Sequence, residues 1–169
     1  MSKELLIMRH AKSSWANGSL SDFDRPLNDR GMRDAPRMAT YLAENDLVPD
    51  LIISSSAKRA ESTTKILNQN FGLDEHHVVL EESLYLAQPT NYLECLKLLA
   101  QAFSRPMVVG HNPGLESLVH RLTGESEVMP TACVVHVRLP IDDWADERLD
   151  RPMDGEMLAV FRPKEVFHA

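Results

Sequence analysis

Two histidines and two arginines carry the chemistry this 169-residue sequence offers. Arg9 and His10 directly follow the apolar run Leu5–Met8. Arg59 follows Leu51–Ser54 and the polar stretch Ser54-Ser55-Ser56, with Lys58 beside it. His111 and Asn112 follow Pro106–Gly110, and Glu81 and Glu82 follow Val78–Leu80. Guanidinium groups grip phosphate bidentately, and backbone N–H groups at helix starts add donors and a favourable dipole. A neutral imidazole can attack phosphorus and hold the phosphoryl group covalently, while a second one donates to its oxygens. Arginines supply the positive charge, so this chemistry needs no metal and no other cofactor. The spacing does not decide which histidine attacks. Lys12, Ser13 and Asn112 are candidate substrate-binding residues, although Ser13 serves equally as a loop residue and Asn112 most simply caps a helix. Ala11-Lys12-Ser13 is like the end of a phosphate loop but lacks its glycines, and GxGxxG is absent. The expected ligand is therefore a phosphoryl group without a nucleotide handle.

Each of these residues has to be brought to one place by the elements around it. Short apolar runs alternate with helical patterns across residues 4–122. Asn28 is placed to cap a helix carrying Ala35, Met38, Ala39 and Leu42 inward. Pro36 is expected to kink that helix or delay its start to about Asp34, and Pro49 to stop it. Ala57–Asn70 reads as a helix closed by Gly72. Thr90 caps a helix over Tyr92–Phe103, and Asn112 one carrying Leu115, Leu118, Val119 and Leu122. Ala132–Leu139 and Glu156–Phe161 read as two last strands without a helix between them. This order predicts a three-layer α/β/α sandwich with a mostly parallel sheet, in a single domain over 1–169. In such a sheet ligands bind beyond the carboxyl ends of the strands, which is where all four reactive residues fall.

The runs that carry these residues also carry a resemblance. Leu5-Leu6-Ile7-Met8-Arg9-His10-Ala11-Lys12-Ser13 resembles the opening of the histidine phosphatase superfamily, with Ala11 in place of the usual glycine. The similarity continues through Arg25-Pro26-Leu27-Asn28, Gly31, Asp50–Ser55, Ala57, Arg59, Ala60 and Thr63. It ends with Gly110-His111-Asn112-Pro113-Gly114, and it lies close to the SixA-type phosphohistidine phosphatase branch. It implies a phosphoglycerate mutase-like fold, with His10 as the phosphate-accepting nucleophile. It implies that Arg9, Arg59 and His111 bind the transferred group. Ala11 requires a turn that avoids positive φ. Superfamily members that hydrolyse esters place a Glu after the third strand to protonate the leaving oxygen, and Glu82 is the candidate here. The Leu84-Tyr85 pattern instead resembles the branch without that acid. General acid catalysis is worth ~10²–10⁴ in rate for a poor leaving group. A site without it favours phosphoramidates.

Composition sets the limits. Charged residues are 25% and hydrophobic ones 43%, as in an ordinary folded domain. A net charge of −7 argues against a nucleic-acid binder. Residues 1–65 hold 10 basic and 9 acidic side chains, and the acidic excess gathers in Asp142–Glu156, expected as a solvated loop. The longest apolar run is Met157–Phe161, too short for a membrane span, and the start reads as lacking a signal peptide. Cys95 and Cys133 read as reduced core residues of a cytoplasmic protein. The other histidines, His76, His77, His120, His136 and His168, form no metal-ligand spacing. The expected activity is metal-independent hydrolysis of phosphohistidine on a partner protein, through phospho-His10, by a soluble monomer. The alternatives are a phosphomonoesterase using Glu82 or Asp24 as acid, and a non-catalytic phosphohistidine reader or phosphocarrier.

Overall fold

Along the first strand, Lys3–Arg9 (β1), successive side chains enter two different cores. Leu6 and Met8 pack on one side and Leu5 and Ile7 on the other. A strand buried on both faces reads as a continuous apolar run, which is why Leu5–Met8 shows no alternation in sequence. The computed structural model describes residues 2–167, leaving His168 outside the described residues. The further strands are Leu51–Ser55 (β2), Val78–Glu81 (β3), Pro106–Gly110 (β4), Val134–Leu139 (β5) and Glu156–Phe161 (β6). They form one sheet in the order β3-β2-β4-β1-β5-β6. β3, β2, β4 and β1 are mutually parallel, and β5 runs antiparallel to both β1 and β6.

Helices cover both faces. Asp29–Glu44 (α1) and Lys58–Phe71 (α2) pack with Met38, Leu42, Ala60 and Leu67 against Leu6, Met8, Ile52 and Val109. Pro89–Lys97 (α3) and Gly114–Thr123 (α4) pack with Tyr92, Leu96, Leu115 and Leu118 against the opposite face. A one-turn helix, Pro163–Val166 (α5), follows β6. The three-layer α/β/α sandwich is thus the expected one.

Several expected boundaries are corrected. α1 starts at Asp29, not near Asp34, because Asn28 Oδ1 accepts from the Gly31 N–H at 2.9 Å. Pro36 sits inside on the exposed side, where solvent can serve the carbonyl it frees. The helix ends at Glu44, with Asn45 as its C-cap, before Pro49. α3 begins at Pro89, whose fixed φ suits a first helical position, so Thr90 lies inside the helix rather than capping it. It stops at Lys97, and Leu99 and Phe103 reach the core from the turns that follow. β5 starts two residues late because Ala132 has φ 63, which breaks an extended run. The acidic loop is not merely solvated. Trp144 and Leu149 are fully buried, and the Trp144 indole donates to the Phe103 carbonyl at 2.8 Å.

Candidate active site

The register of the three central strands places the catalytic candidates side by side. Arg9 pairs with Gly110 across β1 and β4, and Ser54 with Val109 across β2 and β4. The residues that leave these strand ends, His10, Ser55 and His111, are all buried, as is Arg59 in the first turn of α2. Gly110 is needed here, because a Cβ at that position would overlap the Tyr92 hydroxyl. That hydroxyl in turn accepts from the His111 backbone N–H at 3.3 Å.

His10 is 5% exposed, and its ring lies 5.1 Å from that of His111. Its Nδ1 is 2.7 Å from the Ala11 carbonyl. A carbonyl only accepts, so Nδ1 carries the proton and Nε2 keeps its lone pair. That lone pair accepts from Arg59 Nε at 3.3 Å. Burial first, and then the charges of His111, Arg59 and Arg9, push the His10 imidazolium down to about 3. The arginine charge invoked from sequence is thus the smaller cause. His111 is pushed down to about 4, again by burial first and then by Arg59. Both rings are neutral at pH 7. His111 Nε2 is 2.8 Å from Ser55 Oγ, which also accepts from the Ala57 N–H at 3.2 Å. The Ser55 hydroxyl can therefore donate to Nε2 and keep the ring proton on Nδ1, a buried atom without a protein partner.

Ala11 is fully buried and is not among the residues with positive φ, as the replacement of glycine required. Its N–H donates to Thr63 Oγ1 at 3.0 Å, and the Thr63 hydroxyl donates to the Arg59 carbonyl at 2.7 Å. This ties the turn after His10 to the helix that carries Arg59. Arg9 donates from Nη1 to the Met129 carbonyl at 3.1 Å and leaves its buried Nε unpartnered. Unpaired donors on Arg9 and His111 around the neutral His10 ring make a cluster suited to an anion.

The remaining sequence candidates separate. Lys12 is half-buried, and its backbone carbonyl accepts from the Asn28 N–H. The Ser13 hydroxyl accepts from Arg25 Nη2 at 2.6 Å, so it is engaged in loop structure. Asn112 does not cap α4. The Ncap position is Pro113, and Asn112 Nδ2 donates to Glu116 Oε2 and the Met129 carbonyl, both at 2.8 Å. Its buried Oδ1 has no partner. Glu82 lies exposed in a 3₁₀ turn, Glu82–Leu84. Asp24 is exposed and accepts from the Ser21 hydroxyl at 2.8 Å. Trp15 is 74% exposed and stacks on Arg25 at 3.3 Å, at the rim rather than in the core.

The sequence reading missed Asp22. Its Oδ2 accepts from Arg59 Nη2 at 3.0 Å and from the Tyr85 hydroxyl at 2.6 Å. Its backbone carbonyl accepts from Arg59 Nη1 at 2.6 Å, and Oδ1 accepts from Arg25 Nη1 at 2.9 Å. Hydrogen bonds from Tyr85 first, then from Arg25 and Arg59, hold its carboxyl well below the usual carboxylate range. Apart from Arg25 three residues on, its partners Arg59 and Tyr85 meet it only through the fold, so no local pattern marks Asp22 as a site residue. Among the described residues, no three or more His, Cys, Asp or Glu side chains are grouped to hold a metal ion, and no helix is long and apolar enough to cross a membrane.

Comparison with known proteins agrees with this geometry. The sequence profile of the histidine phosphatase superfamily (branch 1) matches residues 5–84. An uncharacterised chloroplastic protein of Arabidopsis thaliana is 36% identical over 154 residues, covering 86% of this chain and 71% of its own length. A candidate SixA phosphohistidine phosphatase from Agrobacterium tumefaciens superposes with a TM-score of 0.79 at 26% identity, over 96% of this chain and all of its own. The protein histidine phosphatase SixA solved with tungstate gives a TM-score of 0.82 over 97% of this chain and 99% of its own, and at 22% identity it speaks to the fold alone. The chain belongs to the histidine phosphatase superfamily and has the SixA-type, phosphoglycerate mutase-like fold.

Proposed function

We propose that this superfamily member hydrolyses phosphohistidine on a partner protein, in two steps through phospho-His10. The observation that carries the reading is the contrast between a complete phosphoryl pocket and its carboxylates. His10 Nε2 is neutral and aimed at Arg59, with the unpaired His111 Nδ1 beside it. The carboxylate at that pocket, Asp22, is held ionised and has no proton to give. Glu82 and Asp24 both lie exposed, with Asp24 engaged by Ser21. An alkoxide leaving without a proton is a poor leaving group, whereas an imidazole protonated on its distal nitrogen departs as a neutral ring.

In the first step the His10 Nε2–P bond forms as the substrate P–N bond breaks. The electron pair of that bond goes to the departing imidazole. Arg9, Arg59 and His111 Nδ1–H balance the charge on the phosphoryl oxygens. In the second step water adds to phosphorus, the P–Nε2 bond breaks, His10 recovers its lone pair, and both protons of the water leave with phosphate as dihydrogen phosphate. The guanidiniums take the place a metal holds in other phosphoryl transfers, so the reading is metal-independent. The rest of the reading is a single-domain monomer acting in the cytoplasm, in keeping with unpaired Cys95 and Cys133.

The test compares turnover of a histidine-phosphorylated protein with that of a panel of phosphate esters, both in chelator. Preferred phosphohistidine turnover that His10→Ala abolishes, with circular dichroism unchanged, is the expected result. Faster ester turnover would favour a phosphomonoesterase. A stable adduct without phosphate release would favour a reader or carrier.

A further inference from the structure

Asp22 places a fixed negative charge beside Arg59, the guanidinium that also faces His10 Nε2. In-line transfer sets the leaving atom across phosphorus from His10 Nε2. Arg59 donates from Nε to His10 Nε2 and from Nη2 to Asp22 Oδ2, which sets the carboxylate on the Nε2 side of the ring, and the Asp22 side chain is 42% exposed where His10 is 5% exposed. A carboxylate offers about four acceptor directions. Arg59 and Tyr85 take two on Oδ2 and Arg25 takes one on Oδ1, which leaves one on Oδ1 open. The carboxylate is held by partners from three places in the chain: Arg59 from α2, Tyr85 from the turn after β3, and Arg25 from its own loop. Tyr85 is braced in turn, edge-on against Phe23 at 5.0 Å and against the His111 ring at 5.6 Å. A side chain so held is presented rather than free to swing away.

Such a charge treats the two kinds of leaving group oppositely. A departing oxygen gathers negative charge and is repelled. A phosphorylated imidazole has an N–H on its distal nitrogen and carries positive charge until the P–N bond breaks. We propose that Asp22 is a specificity-determining residue whose open Oδ1 accepts a hydrogen bond from the distal N–H of the substrate's phosphorylated imidazole. The contact keeps that nitrogen protonated while the P–N electron pair returns to the ring, so the imidazole departs neutral without an acid from the enzyme. This rests on the phosphohistidine reading and names the residue that selects the substrate class. A residue that merely aligned Arg59 would serve every leaving group equally, because Arg59 grips the phosphoryl part common to all.

The experiment measures kcat/KM of the full chain and of Asp22→Asn on two substrates. One is a histidine-phosphorylated protein; the other is 4-nitrophenyl phosphate, whose phenolate leaves without an acid. The ratio of the two values, phosphohistidine over ester, should fall at least tenfold in Asp22→Asn. Asp22→Glu keeps the charge and should recover part of the ratio. Equal losses on both substrates, or no loss on either, would overturn the specificity role while leaving the phosphohistidine reading intact. A wild-type chain inactive on phosphohistidine would overturn both together.

Discussion

The two buried imidazoles make an acid titration the sharpest probe of this site. The His10 imidazolium sits at about 3 in the fold, against an ordinary value near 6.5. At pH 5 an exposed histidine is almost wholly protonated, while His10 remains almost wholly neutral. The sign follows from proton counting. Between these two values the unfolded chain binds protons that the folded chain does not, so stability rises with pH across the window. It is fully present above 6.5 and is lost as pH falls towards 3. Each such group is worth roughly 1.4 kcal/mol per pH unit within its window. His111, pushed down to about 4, acts in the same direction. From pH 7 to 5 the pair should cost roughly 4 kcal/mol of folding stability, about half of it from His10. Asp22 adds to acid lability only as pH falls into the ordinary carboxylate range and below it, so it leaves the span from pH 7 to 5 clear.

Urea unfolding at pH 7 and pH 5, on the wild-type chain and on His10→Gln, reads these quantities directly. The loss on acidification should be about 2 kcal/mol smaller in the variant, which has no imidazole to titrate. Nitrogen-15 NMR of the histidine rings, with His10 assigned from the same variant, should show Nδ1 protonated and Nε2 bare at pH 5. A His10 midpoint within one pH unit of 6.5 would refute the buried, neutral nucleophile. An acid sensitivity identical in the two chains would refute it as well.

Two substitutions test the supports of the site. Ser55→Ala removes the hydroxyl that directs the His111 proton to Nδ1; kcat/KM should fall about tenfold, with the His111 ring divided between its tautomers by NMR. Gly110→Ala drives a Cβ into the Tyr92 hydroxyl and should cost about 1–3 kcal/mol or more in urea unfolding, with Tyr92→Phe in the same chain restoring part of it.

The legible part of this protein is the part encoded by neighbours in sequence. Pro106–Gly110 and Glu156–Phe161 were readable as strands to the residue, because apolar runs bounded by polar turns leave little else to form. Arg9, His10, Arg59 and His111 were readable as a set because a parallel sheet carries every strand's carboxyl end to the same edge. Boundaries set by one cap or one backbone angle were not. Pro89 moved the start of α3, and the positive φ of Ala132 delayed β5. Trp144, inside an acidic run, showed no sign in sequence that it would be buried.

Asp22 was illegible for a deeper reason, and that reason bears on how the chemistry is specified. A search for an acid asks which carboxyl group can give a proton, and it looks after the third strand, where Glu82 stands. The fold instead places there the hydroxyl of Tyr85, and brings to it a carboxylate from the loop after β1. Tyr85, Arg59 and Arg25 together hold that carboxyl group ionised. On the proposed function, the site grips a phosphoryl group and Asp22 offers no proton to what leaves it. The proposed catalysis then suits substrates whose leaving group brings its own proton, as a phosphorylated imidazole does with its second nitrogen.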